Sequence, residues 1–186
     1  MLDLEINQDL LQRVAQRDHR SILVLYNQCF AFMMQRLSRL SLHKEEQMSV
    51  MNTAFLKAIE RIETFDSSKD FKAWLGTIVK NEFIDQYRKK QAHAKHYNDV
   101  LPPLEDTTDT GADILLQLAD TEQLYFHFID ALPETTRIVF NLYVLEEMSR
   151  EEIAQSLDMS YDAVKWHVLK ARKQIAEQLK MTSHEK

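Results

Sequence analysis

Glycine is nearly missing from this chain. Two occur in 186 residues, Gly76 and Gly111, where ordinary usage of about 7% would supply roughly thirteen. A G-x-G-x-x-G fingerprint or a phosphate-cradling P-loop needs clustered residues without Cβ, so both are excluded. Three prolines are too few for a turn-rich sandwich or barrel. A single cysteine, Cys29, leaves no internal disulfide and no Cys-x-x-Cys zinc or redox site. The longest apolar run, Cys29 to Met34, is six residues, against the roughly 18 that a membrane helix needs. The opening Met1-Leu-Asp-Leu-Glu-Ile-Asn is acidic and lacks the basic flank and apolar stretch of a signal peptide. With 45% hydrophobic and 28% charged residues, the chain is expected to be globular, mostly helical and cytoplasmic.

Basic charge is scarce overall, with a formal net charge of −6, but it is unevenly spread. Residues 1–97 hold 15 Lys and Arg against 12 Asp and Glu. Residues 98–125 hold no Lys or Arg and seven acids, Asp99, Glu105, Asp106, Asp109, Asp113, Asp120 and Glu122. Residues 126–186 hold 8 basic against 10 acidic side chains. The windows 86–95 and 165–173 each carry four cations and no anion. Such clusters point to a polyanionic partner such as nucleic acid, although a solvated helix face has the same composition. The acidic block also contains Pro102-Pro103, Thr107-Thr108 and Gly111 and shows no apolar period. It reads as a linker centred on Asn98–Ala112. The expected organisation is therefore all-α, with two small helical bundles over 1–97 and 121–186 joined by an acidic flexible linker over 98–120.

In the first half, Leu10, Leu11 and Val14 predict a short helix, and Ile22, Leu25, Cys29, Phe32, Met33, Leu37 and Leu40 a long one. The break falls near Asp18-His19. After Ser41-Leu-His-Lys, a third helix carries Met48, Met51, Phe55, Ala58, Ile59 and Ile62. The polar segment Glu63–Asp70 is rich in cap formers and predicts an exposed loop, with Asp70 or a neighbouring serine capping the next helix. That helix carries Phe71, Trp74, Leu75, Ile78, Val79, Phe83, Ile84 and Tyr87 and runs into Arg88-Lys89-Lys90. Its aromatic residues exceed what one buried stripe requires. They are either core or, in part, platforms on which unpaired bases stack beside a basic track, each stack being worth about 1–3 kcal/mol. Trp74 and Tyr87 keep a polar handle and suit a half-exposed face, whereas Phe55 and Phe83 belong to the core.

In the second half, Leu124, Phe128 and Leu132 mark a helix ended by Pro133, and Ile138, Leu142 and Leu145 mark the next. Ser149-Arg-Glu-Glu152 is a capping box that places a helix start at Ser149. Asp158-Met-Ser160 is a three-residue turn, and Ser160 can cap a last helix reaching about Lys180. Helix, short turn and helix, with the small Ala154 at the crossing, is a helix-turn-helix pattern. Val164, Val168, Ala171, Ile175 and Leu179 form the buried stripe of the last helix, leaving Lys165, Trp166, His167, Lys170, Arg172 and Lys173 on the other side. In a helix-turn-helix the second helix enters the major groove and its early residues read base edges.

These motifs together resemble the extracytoplasmic-function sigma factors, the smallest members of the bacterial sigma-70 family. The likeness runs from Leu10 to Leu179. Phe55-Leu-Lys-Ala, followed by Phe71-Lys-Ala-Trp-Leu-Gly-Thr-Ile-Val-Lys-Asn-Glu-Phe-Ile-Asp-Gln-Tyr-Arg, is similar to the family's promoter-melting and minus-ten-reading segment. Leu132-Pro-Glu, Glu152-Ile-Ala and Ala163-Val-Lys-Trp-His-Val-Leu-Lys-Ala-Arg-Lys are similar to its minus-thirty-five-reading domain. The resemblance implies a protein that binds the beta and beta-prime subunits of core RNA polymerase and promoter DNA, and that is restrained by an anti-sigma factor. No cofactor, metal, catalytic residue or small-molecule substrate is implied. Minus-ten contacts are expected from Phe65, Ser67, Lys69, Phe71, Trp74, Asn81, Asp85, Arg88 and Lys89, with the loop Glu63–Asp70 holding a flipped base. Minus-thirty-five contacts are expected from Ser160, Lys165, Trp166, His167, Leu169, Lys170 and Lys173, and polymerase contacts from Glu45, Asn52 and Phe55. The acidic linker is expected to thread the polymerase channel that later carries RNA.

The chain departs from the family pattern at three places. Ser49 and Asn52 stand where an acidic pair and a glutamine are usual, Asp158 replaces the turn glycine, and Trp166-His167 replace a small residue and an arginine. The last change implies an altered promoter sequence. Two other classes of function compete. A stand-alone helix-turn-helix regulator would bind duplex DNA tightly without polymerase. An all-helical enzyme is disfavoured because His93-x-x-His96 has no evident third ligand and a polar helix surface accounts for the pair.

Overall fold

The computed structural model describes residues 6–40, 43–94 and 128–184, with side chains at the ends of the last two stretches left aside. Among the described residues every regular element is helical. The chain divides into two compact units, Met1–Lys90 and Gln91–Lys186. The acidic linker, the start of the helix expected from Thr121, and the side chains of His93, His96, His127 and Leu179 lie outside the described residues.

In the first unit, Asn7 caps α1 (Gln8–Ala15) by accepting the Leu10 amide at 2.8 Å. Arg17 then takes a left-handed turn (φ 63°). Asp18 caps α2 (His19–Ser38), accepting both the Ser21 amide at 2.9 Å and its hydroxyl at 2.6 Å. Those bonds hold the Asp18 carboxyl below its ordinary pKa. Leu25, Cys29, Met33 and Leu37 recur every four residues and are all buried, so α2 turns one stripe inward. Cys29 is buried as expected, and burial pushes its thiol up to about 12, which leaves it inert.

Helix α3 (Lys44–Glu60) buries Val50, Met51, Ala54, Phe55, Ala58 and Ile59 and passes into a short 3₁₀ turn at Ile62–Thr64. Helix α1 packs on α2 and on this turn, and α2 packs on α3. Helix α4 (Phe71–Ala94) starts where Asp70 accepts the Ala73 amide at 2.7 Å, and it buries Leu75, Ile78, Val79, Phe83, Ile84 and Tyr87.

Two polar ties lock α4 to α3. Glu82, 4% exposed, accepts Lys57 on one oxygen and the Gln86 amide on the other. A carboxylate that deep is tolerated only when paired and hydrogen-bonded, and here both oxygens are satisfied. The bond to Glu82 raises the Lys57 pKa. Further along, Lys90 meets Glu46 at 2.7 Å. Against α2, Gly76 lets the Arg36 guanidinium lie flat on α4: a Cβ added there would sit 3.2 Å from it.

In the second unit, Phe128, Ile129 and Leu132 are buried ahead of Pro133, which immediately precedes α5 (Glu134–Val144) and makes no side-chain cap bond. Ser149 and Glu152 form the expected capping box at the start of α6 (Arg150–Leu157), with reciprocal bonds of 2.7 and 3.1 Å. Asp158 then adopts a left-handed conformation (φ 54°, ψ 47°), the geometry that glycine would supply more cheaply. Ser160 accepts the Ala163 amide at 3.1 Å and starts α7 (Tyr161–His184). Helices α5, α6 and α7 pack on one another, and Phe128, Ile129, Leu132, Phe140, Ala171 and Ile175 form one core cluster. Tyr143 binds the three together, its ring lying 5.5 Å from the Arg150 guanidinium and 5.7 Å from that of Arg172.

Candidate nucleic-acid interface

In the first unit the loop between the 3₁₀ turn and α4 is ordered by its own side chains. Asp66 accepts the Ser68 amide at 3.0 Å and hydroxyl at 2.7 Å, which holds its carboxyl below the ordinary pKa. Phe65 leaves the loop as a half-buried wedge, 5.3 Å from the Phe71 ring and 5.1 Å from the Trp74 ring. The three rings form a tilted cluster, an arrangement that aromatic quadrupoles favour. Beside it opens a cavity of about 280 Å³ with Phe65 and Phe71 as its apolar wall and Ser67, Lys69, Asp70 and Lys72 at its rim.

The outer face of α4 presents Asn81, Asp85 and Arg88, spaced four and three residues apart and all exposed. Lys89 follows, also exposed. Asp85 lies 4.0 Å from the Lys57 amine, so that one lysine serves both the buried Glu82 and the exposed row. Ser67 and Lys69 are exposed and Trp74 is half-buried. Phe71, at 9% exposure, is packed beneath Phe65 and supports the loop more than it faces solvent. Tyr87 corrects an expectation: it is buried among the core residues, 6.3 Å from the Phe83 ring, because its position on α4 falls on the inward stripe.

Of the three residues expected to meet polymerase, Glu45 and Asn52 are exposed. Phe55 is not available for such a contact. It is 5% exposed, with the Tyr26 ring standing edge-on at 5.1 Å, while the Tyr26 hydroxyl reaches Asn52 at 3.4 Å. Apolar side chains that the stripe analysis left unassigned are exposed instead: Leu56 at 63%, Leu23 at 60%, and Val24 and Phe30. Helical phase could have found them, since Leu56 follows the buried Phe55 and falls outside the Met51–Phe55–Ala58 stripe.

In the second unit the start of α7 carries the expected residues in unequal states. Lys165 and Lys173 are exposed, whereas Trp166, Leu169 and Lys170 are half-buried. The Lys170 amine rests 4.6 Å from the Trp166 ring centre, a cation–π perch. His167 corrects the idea of a wholly outward face: its Nδ1 shares a 2.9 Å hydrogen bond with Thr136, a buried hydroxyl on α5. Arg172 likewise turns back onto Tyr143. The Ser160 hydroxyl is engaged in capping α7.

Two family models match this chain, Sigma-70 region 2 over residues 25–93 and Sigma-70 region 4 over residues 123–175. The chain belongs to the sigma-70 family. This sigma factor is 25% identical over 181 residues to the ECF RNA polymerase sigma-E factor of Haemophilus influenzae, covering 93% of this chain and 95% of that protein. It is 26% identical over 147 residues to the ECF sigma factor SigW of Bacillus subtilis, covering 73% and 76%. Among solved structures it is similar to CnrH in complex with the cytosolic domain of CnrY, with 22% identity, coverage of 96% and 99%, and a TM-score of 0.47. The sigma factor is thus of the ECF type, its partners are core RNA polymerase and promoter DNA, and its activity is promoter recognition for transcription initiation. No described helix is long and apolar enough to cross a membrane.

Proposed function

We propose that the two units of this sigma factor divide the promoter between them: the first reads and melts the minus-ten element, and the second holds the minus-thirty-five element. The observation that carries the reading is the pairing of a loop cavity with the exposed row Asn81, Asp85 and Arg88 on α4. Aromatic walls and a polar rim suit a single base extruded from the stack, whose unstacking cost is recovered by contacts inside the pocket. The row on α4 then lies along the same unpaired strand. In the second unit, the helix-turn-helix of α6 and α7 presents Lys165 and Lys173 to the major groove, with Lys170 leaving its perch on Trp166 to join them.

The face of α3 bearing Glu45, Asn52 and Leu56 is the surface for the polymerase clamp, and an anti-sigma factor competes for it. The acidic segment 98–120 tethers domains 1–97 and 121–186 and occupies a channel of the enzyme. The protein works in the cytoplasm as a binding subunit and performs no catalysis of its own.

Footprinting of the full chain with core polymerase tests the division. Lys165→Ala with Lys170→Ala removes protection upstream and leaves the downstream edge in place, whereas Phe65→Ala or Trp74→Ala leaves upstream protection and abolishes permanganate-reactive, unpaired thymines near the start site. Loss of both regions in every variant, or of neither, contradicts the assignment.

A further inference from the structure

The cavity beside Phe65 is not enclosed by its loop alone. Its remaining wall is Ile6, just ahead of the α1 cap, with Gln8 and Leu11 of α1, a segment that precedes the region 2 match beginning at residue 25. This wall is held rigidly. Asn7 caps the helix at 2.8 Å, Leu10 and Val14 are buried, α1 packs on both α2 and the 3₁₀ turn, and Arg17 donates to the Ile59 carbonyl at 3.3 Å.

Ile6 and Leu11 extend the apolar lining opposite Phe65 and Phe71. Gln8 is different. It stands exposed in the first turn, and among the described residues no hydrogen bond engages its amide. A primary amide carries one acceptor and two donors and matches the paired donor and acceptor on a base edge. On the loop side the Ser67 hydroxyl both donates and accepts and so discriminates poorly between base edges, and the charged groups have less freedom. Asp70 is committed to the Ala73 amide at 2.7 Å, Lys69 lies 3.9 Å from Asp66, and lysine amines donate to any acceptor.

We propose that α1 is part of the base pocket and that Gln8 is a specificity-determining residue, reading the polar edge of the nucleobase held against Phe65. This rests on the reading of the cavity as a base pocket and adds to it the residue that chooses among bases. At about 280 Å³ the cavity stands near the lower end of the roughly 300–1,000 Å³ of small-molecule pockets, a size compatible with a single base.

The test is a selection with the full chain bound to core polymerase, from forked promoter DNA whose unpaired strand is randomised, comparing wild type with Gln8→Ala, Gln8→Glu and Phe65→Ala. Gln8→Ala is expected to flatten the preference at one position by about tenfold, the order of one bidentate base contact, and to leave all other positions unchanged. Gln8→Glu keeps the shape, removes the donors and moves the preference at that position towards bases offering N–H groups. Binding of a strand abasic there is the same for wild type and both Gln8 variants. Selections by both Gln8 variants identical to wild type, while Phe65→Ala flattens one position, overturn the role of α1 and spare the pocket. An unchanged selection with Phe65→Ala as well overturns the pocket itself. A uniform loss at every position with Gln8→Ala marks a structural residue and likewise overturns the proposal. Both Gln8 changes lie at an exposed first-turn position where alanine and glutamate are compatible with a helix.

Discussion

Lys57 shows how one side chain links packing to the site. It satisfies the buried Glu82 and stands 4.0 Å from Asp85 on the exposed row of α4. Lys57→Ala is expected to lower stability by about 1–2 kcal/mol in urea titration, below the 3–5 kcal/mol of a fully buried pair because the lysine is itself partly exposed. The pH dependence has a definite sign. The folded state raises the Lys57 pKa above 10.5, so the contribution is complete at neutral pH and is lost as pH rises through the raised value. Wild type therefore loses part of its stability above pH 10.5, and Lys57→Met lacks that component of the loss. At Gly76 a Cβ would press on the far end of a flexible arginine, which can move, while alanine gains up to about 1 kcal/mol of helix propensity. Gly76→Ala is expected to raise the melting temperature, and a fall would mean that Arg36 cannot yield. Caps such as Asp70, Ser149 and Ser160 were legible in the sequence because their bonds span three residues. The Lys57–Glu82 tie spans 25, and no local pattern announces it.

At the scale of elements, periodicity located the helices and their inward stripes, including Leu25–Leu37 on α2 and Val164–Ile175 on α7. Outward faces were less legible. His167 and Arg172 look exposed by phase, but Thr136 and Tyr143 on a neighbouring helix draw them back, and that depends on how α5 crosses α7. The cavity was half legible, since its loop is visible as Glu63–Asp70 whereas its α1 wall comes from residues more than fifty positions earlier. The capping box of α6 fixes the approach of the turn to α7. Ser149→Ala is expected to cost about 1 kcal/mol, checked by chemical denaturation of the full chain. Lys165→Ala and Lys173→Ala are each expected to weaken upstream DNA binding and to reduce the salt slope by about one ion. An unchanged slope would make these lysines bystanders on a solvated face.

For the molecule as a whole, the net charge of −6 opposes duplex DNA at long range, while two short cationic windows favour it locally. That contrast separates a subunit which reads promoters from within a polymerase from a regulator that grips operators by itself. The seven acids of residues 98–125 concentrate the opposing charge in the segment that joins the two units, so the isolated chain is expected to bind duplex DNA weakly and to gain selectivity only once the larger enzyme supplies most of the non-specific affinity. The most direct measurement is run-off transcription from a library of promoter fragments, using purified core RNA polymerase with and without the chain. A discrete set of transcripts that requires the chain, together with negligible protection of the same fragments by the chain alone, is the predicted result. Tight protection without polymerase and no chain-dependent transcript would contradict it.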